Sequence, residues 1–149
     1  MEQQKDAGAV RRMMVAVAAV LWVANKSHIL TVRHPNDSRN TWRVPHGIQT
    51  RDDERAVFAA RRVLYEQTHV IADIQELQVL GYFDTPEQGP TTVATVLYVV
   101  EIDMASANLA HGPTESDEIR FVYTKKLTEG MTGPDHAELI RVVKQRYRT

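Results

Sequence analysis

The chain has 149 residues, the length of one ordinary globular domain, with 43% apolar and 25% charged residues, so neither disorder nor a multidomain chain is expected. Its 18 Lys+Arg against 19 Asp+Glu leave a net charge of -1, which gives no bulk electrostatic reason to bind nucleic acid or an anionic membrane. Cysteine is absent, which excludes disulfides, cysteine–zinc sites and thiol nucleophiles, and fits a reducing, cytoplasmic setting.

In chain order, residues 1–12 form a flexible, largely polar lead-in. An apolar run then extends from Met13 to Ala24, shorter than the roughly 20 residues a membrane-spanning helix needs. Arg11 and Arg12 ahead of it would suit a signal peptide. Glu2 and Asp6 put acid in the same region, however, and Trp22 is bulky where a cleavage site wants a small residue, so export is not expected. Val15, Val17, Val20 and Val23 instead mark a buried strand over 15–23. A turn over 24–27 leads to a second strand, 28–33, and residues 34–40 are rich in turn formers. Residues 42–45 read as a short extended piece, because Val44 precedes a proline.

A helix is the clearest local signal. Thr50 with Asp53 has the spacing of a capping box, and Asp52, Asp53 and Glu54 place negative charge at a helix start. Ala56, Val57, Ala60, Val63 and Leu64 then share one face, which carries the helix to about Gln67. Strands are expected over 77–83, 92–102 and 119–123, and a last helix over 134–147. This order predicts an α+β domain, a mixed sheet between helices.

Gly47, Asp53, Arg61, Val63 and Glu66 stand at the spacing of glycine, first acid, arginine, apolar residue and last glutamate in the signature of Nudix hydrolases, and the segment from Trp42 into the helix resembles the entrance to that domain. The resemblance covers most of the chain and implies a single Nudix-like domain over 1–149 with an α/β/α sandwich fold. It also implies a pocket for a nucleoside diphosphate linked to another moiety, and cleavage by water with Mg²⁺ or Mn²⁺ bound.

Two of the departures fall on one function. Arg62 and Tyr65 stand where the family has metal-facing glutamates, Thr68 replaces the closing glycine, His69 replaces an apolar residue, and His46 stands where a glycine usually enters. Asp53 and Arg61 could still buttress the loop–helix frame. Positions 62, 65 and 66 sum to zero charge instead of the family's three negative charges. A guanidinium about 5 Å from a divalent cation is repelled by roughly 7 kcal/mol at an effective dielectric of about 20. Hydrolysis dependent on Mg²⁺ is therefore expected to be weak or absent, with binding of a phosphorylated small molecule retained.

Several residues are candidates for that site. Glu66 is the surviving metal-type carboxylate, although an i, i+4 pair with Arg62 is its simpler reading. Glu118 is the preferred further catalytic acid, and Asp84 or Glu87 could join it if the ligands have been reassigned. The carbonyl of His46 matches a metal-touching position in the family. Arg62 either neutralises Glu66 or binds phosphate directly, with Arg33 and Arg43 as further phosphate contacts. Trp42, Phe83 and Tyr82 could form an aromatic wall, with core packing as the alternative. No histidine pair has zinc-ligand spacing. The C-terminal stripe of Arg141, Lys144 and Arg148 is read as a response to the helix dipole, so nucleic acid is not an expected partner.

Two alternatives remain open from the sequence: an active hydrolase using Glu66 and Glu118, and a structural or partner-binding domain without a ligand. The length leaves no room for an attached DNA-binding module. Oligomeric state is undecided, a homodimer being common for domains of this kind.

Overall fold

The computed structural model describes residues 13–33, 41–49, 54–86, 92–114, 117–132 and 136–147. Strand β1 (Met14–Val23) alternates Val15, Val17 and Ala19 with Ala16, Ala18 and Val20, so both of its faces are apolar, and residues 15–21 are buried throughout. Such a strand belongs in the middle of a sheet, and β1 lies there. A two-residue turn at Ala24 and Asn25, both left-handed (φ 50° and 66°), leads directly into β2 (Lys26–Arg33) and pairs Val23 with Lys26. This tight turn has the twist that hairpin strands need. It shortens the expected connection, so β2 begins two residues before the predicted strand.

The remaining elements are β3 (His46–Ile48), α1 (Ala56–Thr68), β4 (Gln78–Pro86), β5 (Thr92–Ile102), α2 (Met104–Leu109), β6 (Glu118–Tyr123), a 3-10 turn (Thr124–Lys126), α3 (Glu129–Thr132) and α4 (Ala137–Arg146). The sheet order is β4-β5-β1-β2-β6, with β3 also pairing with β1. β1 and β5 run parallel and every other pairing is antiparallel. β2 pairs with the last residues of β1, whereas β3 pairs with its first, Ala16 opposite His46 and Met14 opposite Ile48. The segment from Trp42 to Gln49 thus lies where β2 has parted from β1.

Each face of the sheet has its own helix. Ala59, Ala60 and Leu64 of α1 pack with Val15, Val17 and Ala19, while Leu139, Ile140 and Val143 of α4 pack with Ala16, Ala18 and Val20. The mixed sheet between helices is the α+β sandwich expected from the element order.

Three local features differ from expectation. First, α1 begins at Ala56 with Arg55 as its N-cap and no side-chain capping bond. The expected capping residues Thr50–Asp53 lie outside the described residues, and Glu54 stays ahead of the helix because its carbonyl accepts from Gln49 Nε2 (2.7 Å) and its carboxylate is held by Arg62. Second, α2 was not expected. It buries no residue, so it leaves no apolar periodicity to read. Asp103 caps it, accepting from the Ser106 amide at 2.8 Å, and those hydrogen bonds hold the carboxyl below the usual carboxylate range. Third, the short helix α3 precedes α4, which is described from Ala137; the expected start at 134 lies outside the described residues. No helix is long and apolar enough to cross a membrane among the described residues.

Candidate functional site

Gly47 lets β3 approach α1 closely. A Cβ there would lie 3.0 Å from Val63 Cγ2, which is held in the buried core. Gly47→Ala is therefore expected to cost about 1–3 kcal/mol through overpacking, read as a lower midpoint of thermal unfolding. An unchanged midpoint would show that this approach is not tight.

Beside that contact, Gln67 grips the entrance backbone in both directions. Its Nε2 donates to the His46 carbonyl at 2.6 Å, and its Oε1 accepts from the His46 amide at 3.2 Å. Gln49 makes a second tie, its Oε1 accepting from the Met13 amide at 3.0 Å while its Nε2 reaches the Glu54 carbonyl. The two glutamines fix β1, β3 and α1 relative to one another through hydrogen bonds that hydrophobic patterning does not signal.

Arg62 sits at the centre of this frame. Its Nε donates to Glu54 Oε2 at 3.0 Å and its Nη2 to Glu54 Oε1 at 3.2 Å, a two-pronged pair. Its Nη1 donates to Glu66 Oε1 at 3.0 Å, and Nη2 also reaches the Ile48 carbonyl at 3.1 Å. The Glu54 hydrogen bond, opposed by partial burial and aided by the charges of Glu54 and Glu66, raises the Arg62 pKa above its ordinary value, so the guanidinium stays charged. Glu54 is the largely buried partner, its side chain 12% exposed, whereas Glu66 is 58% exposed. The i, i+4 pair of Arg62 with Glu66 is present, and Glu54 is the partner that sequence spacing missed.

These residues do not fit the divalent metal that the family resemblance implies. Glu66 and Glu54 share one tethered cation, and the His46 carbonyl already accepts a short hydrogen bond. Among the described residues, no group of three or more His, Asp or Glu side chains is placed to hold a metal ion. Tyr65, in place of a glutamate, is 46% exposed and meets His69 edge-on at 5.2 Å. His69 takes the left-handed conformation that ends α1 (φ 63°), one residue after the family's glycine position; Thr68 remains helical, its hydroxyl donating to the Leu64 carbonyl at 2.6 Å.

The other candidates gather on the α4 side. Arg33 donates from Nε to Glu118 Oε1 at 2.7 Å, across the register that pairs the two residues. The guanidinium carbons of Arg33 and Arg120 lie 4.9 Å and 4.6 Å from the centre of the Trp42 ring, which is only 8% exposed. Arg120 was not anticipated; it enters because β6 pairs with β2 and sets it opposite Thr31. The His46 ring meets His136, at the start of α4, edge-on at 4.7 Å, and its Nδ1 contacts the Val44 carbonyl at 2.9 Å. Phe83 packs against the core on this same side, over Gly81.

Strand alternation puts Arg43 on the opposite side from Trp42, with its Nε donating to Thr41 Oγ1 at 3.1 Å. Arg33, Trp42, His46, Phe83 and Glu118 thus share one side of the sheet, and Arg62 and Glu66 belong to the helix on the other. Glu66 and Glu118 are each held by a different arginine and are not brought together. Tyr82 and Asp84 are exposed on β4, and Glu87 and Asp53 lie outside the described residues. Arg61, the expected partner of Asp53, lies with its guanidinium carbon 5.3 Å from the Phe58 ring centre.

Comparison with known proteins agrees with this architecture. The family model described as the NUDIX domain matches residues 12–143. The NUDIX domain of Shewanella oneidensis NrtR, solved with ADP ribose, superposes with a TM-score of 0.73 at 18% identity over 98% of both chains. A Caenorhabditis elegans Ap4A hydrolase in a binary complex gives 0.71 at 12% identity, over 91% of this chain and 96% of that one. A MutT/nudix family protein from Enterococcus faecalis gives 0.72 at 18% identity, over 97% of this chain and 68% of its own. No curated protein matches the chain in sequence.

Proposed function

The chain belongs to the Nudix family, and from that premise we propose that it binds a nucleoside diphosphate derivative and has lost the metal-dependent hydrolysis of its active relatives. One observation carries the loss: the four hydrogen bonds from Arg62 to Glu54, Glu66 and the Ile48 carbonyl. A fixed positive charge stands among the acceptors that would otherwise be drawn to a divalent ion. Its donors serve the protein's own oxygens, so Arg62 acts as a structural cation and phosphate recognition falls to other arginines.

The ligand class is supported by fold likeness to proteins whose solved complexes or names involve ADP ribose and Ap4A. The arginines beside Trp42 supply the charge a diphosphate needs: Arg33 and Arg120 carry two positive charges against the one negative charge of Glu118. Arg33, His46 and Phe83 would face such a ligand from the α4 side, with Trp42 positioning the arginines.

Calorimetric titration with ADP-ribose tests the proposal. Binding is expected with the same affinity in EDTA and in Mg²⁺, and no AMP or phosphate release above the blank. Turnover stimulated by Mg²⁺ or Mn²⁺ and lost in Glu66→Gln would overturn it in favour of an active hydrolase. Failure to bind any nucleoside diphosphate derivative, in folded protein, would leave a structural or partner-binding domain.

A further inference from the structure

On the α4 face, away from α1, a groove of about 860 Å³ opens between the 3-10 turn and α4. Its volume is that of a small-molecule site, which typically spans about 300–1,000 Å³. Lys125, Arg141 and Lys144 line it, and among the described residues no acidic one does. In a chain whose net charge is -1, three cations and no acid among the described lining residues is a local segregation of charge. Arg141 is paired with Glu138 just outside, at 2.5 Å.

The groove is built rather than incidental. It is backed by core residues, Leu127 and Ile140, both fully buried, and Tyr147, 8% exposed. Lys144 is anchored by a 2.6 Å hydrogen bond from Nζ to the Leu127 carbonyl, which holds its charge in place. A buried hydroxyl network ties the elements around it: Thr124 Oγ1 donates to the Ser27 carbonyl at 2.8 Å, and the Ser27 hydroxyl lies 2.8 Å from Thr124 Oγ1 and 3.4 Å from the Tyr147 carbonyl. Trp22, 38% exposed, meets Tyr147 edge-on at 6.0 Å and sets an accessible aromatic beside the groove.

Clustered cations favour a multiply charged anion, and the accessible indole of Trp22 against the Tyr147 ring favours an aromatic group attached to it. We propose that this groove is a second ligand site, separate from the arginines beside Trp42, that binds a nucleoside monophosphate unit, either free or within a single strand of RNA. Phosphate lies against Lys125, Arg141 and Lys144, and the base lies toward Tyr147 and Trp22. Stacking on aromatic side chains with phosphate held by cations is the general chemistry of such recognition. Net charge alone hides the site, because Lys125 comes from a segment far in sequence from Arg141 and Lys144.

The test is titration of the isotopically labelled full chain with AMP and, separately, with an eight-nucleotide oligoadenylate, followed by amide chemical shifts. The amides of Lys125, Leu127, Arg141 and Lys144 should move, with affinity falling as salt rises. The double variant Lys125→Glu, Arg141→Glu, both positions being exposed, should bind at least tenfold more weakly. ADP-ribose binding should be unchanged in that variant, which separates this site from the one proposed above. Shifts with AMP identify a free nucleotide as sufficient, and shifts with the oligonucleotide alone identify the strand as the source. Absence of shifts at these amides with both probes, or equal binding by the folded double variant, overturns the proposal.

Discussion

Arg62→Glu combined with Tyr65→Glu should turn α1 from a metal-indifferent helix into a metal-responsive one. Without divalent ions the double variant should be less stable by about 2–4 kcal/mol, because Glu54 and Glu66 lose their shared cation and gain like-charged neighbours. This is below the loss for a fully buried pair, since Arg62 is 26% exposed and Glu66 more so. At roughly 2–4 °C per kcal/mol for a domain of this size, the melting temperature should fall by about 5–15 °C. Millimolar Mn²⁺ or Mg²⁺ should then restore much of the loss in the variant and leave the natural protein unmoved. Thermal melts in EDTA and in either metal decide the matter. A variant as stable as the parent, or one that ignores metal, would contradict the assignment of Arg62 as the tethered substitute for a divalent ion.

The second large effect is expected at Leu64→Ala. Leu64 is fully buried between α1 and β1 in the cluster that includes Val15, Val17 and Leu30. Removing its isobutyl group should cost about 3–4 kcal/mol, since the rigid sheet beneath collapses little around the cavity. The neighbours on the helix, Ala59 and Ala60, are small and admit no compensating rotation of a larger side chain. Urea unfolding of the variant should show a lower midpoint with an unchanged slope. A loss under 1 kcal/mol would mean that α1 is not seated on the sheet as described.

What was legible in the sequence followed from burial. β1 is apolar on both faces and α1 on one, so run length and a 3.6-residue period exposed them without help. The turn at Ala24 and Asn25 was not legible as a two-residue loop, because alanine rarely adopts positive φ and gives no local cue. The helix α1 starts later than the acids suggest because one of them, Glu54, is committed to Arg62 and stays ahead of the helix. Within the site, the Gly47–Glu66 spacing exposed the frame and the lost glutamates. It could not reveal that Arg62 bonds a residue eight positions earlier, nor that Gln67 holds His46 across 21 residues. The approach of Arg120 to Trp42 depends on strand register, which exists only once β6 has paired with β2.

The parallel pairing of β1 with β5 also bears on how the chain is made. Residue 14 finds its partner at residue 95, and Leu21 finds its partner at Ile102. During synthesis this wholly apolar strand therefore emerges before its partner and keeps one edge open until about 80 further residues have followed it. In that interval β2 and β3 can pair with the opposite edge. An apolar strand with a free edge is a template for self-association, and long-range parallel pairing is slow to form. The nascent protein is thus most vulnerable before β5 leaves the ribosome, and its yield in cells should depend on chaperone capacity more than the stability of the finished sheet would indicate.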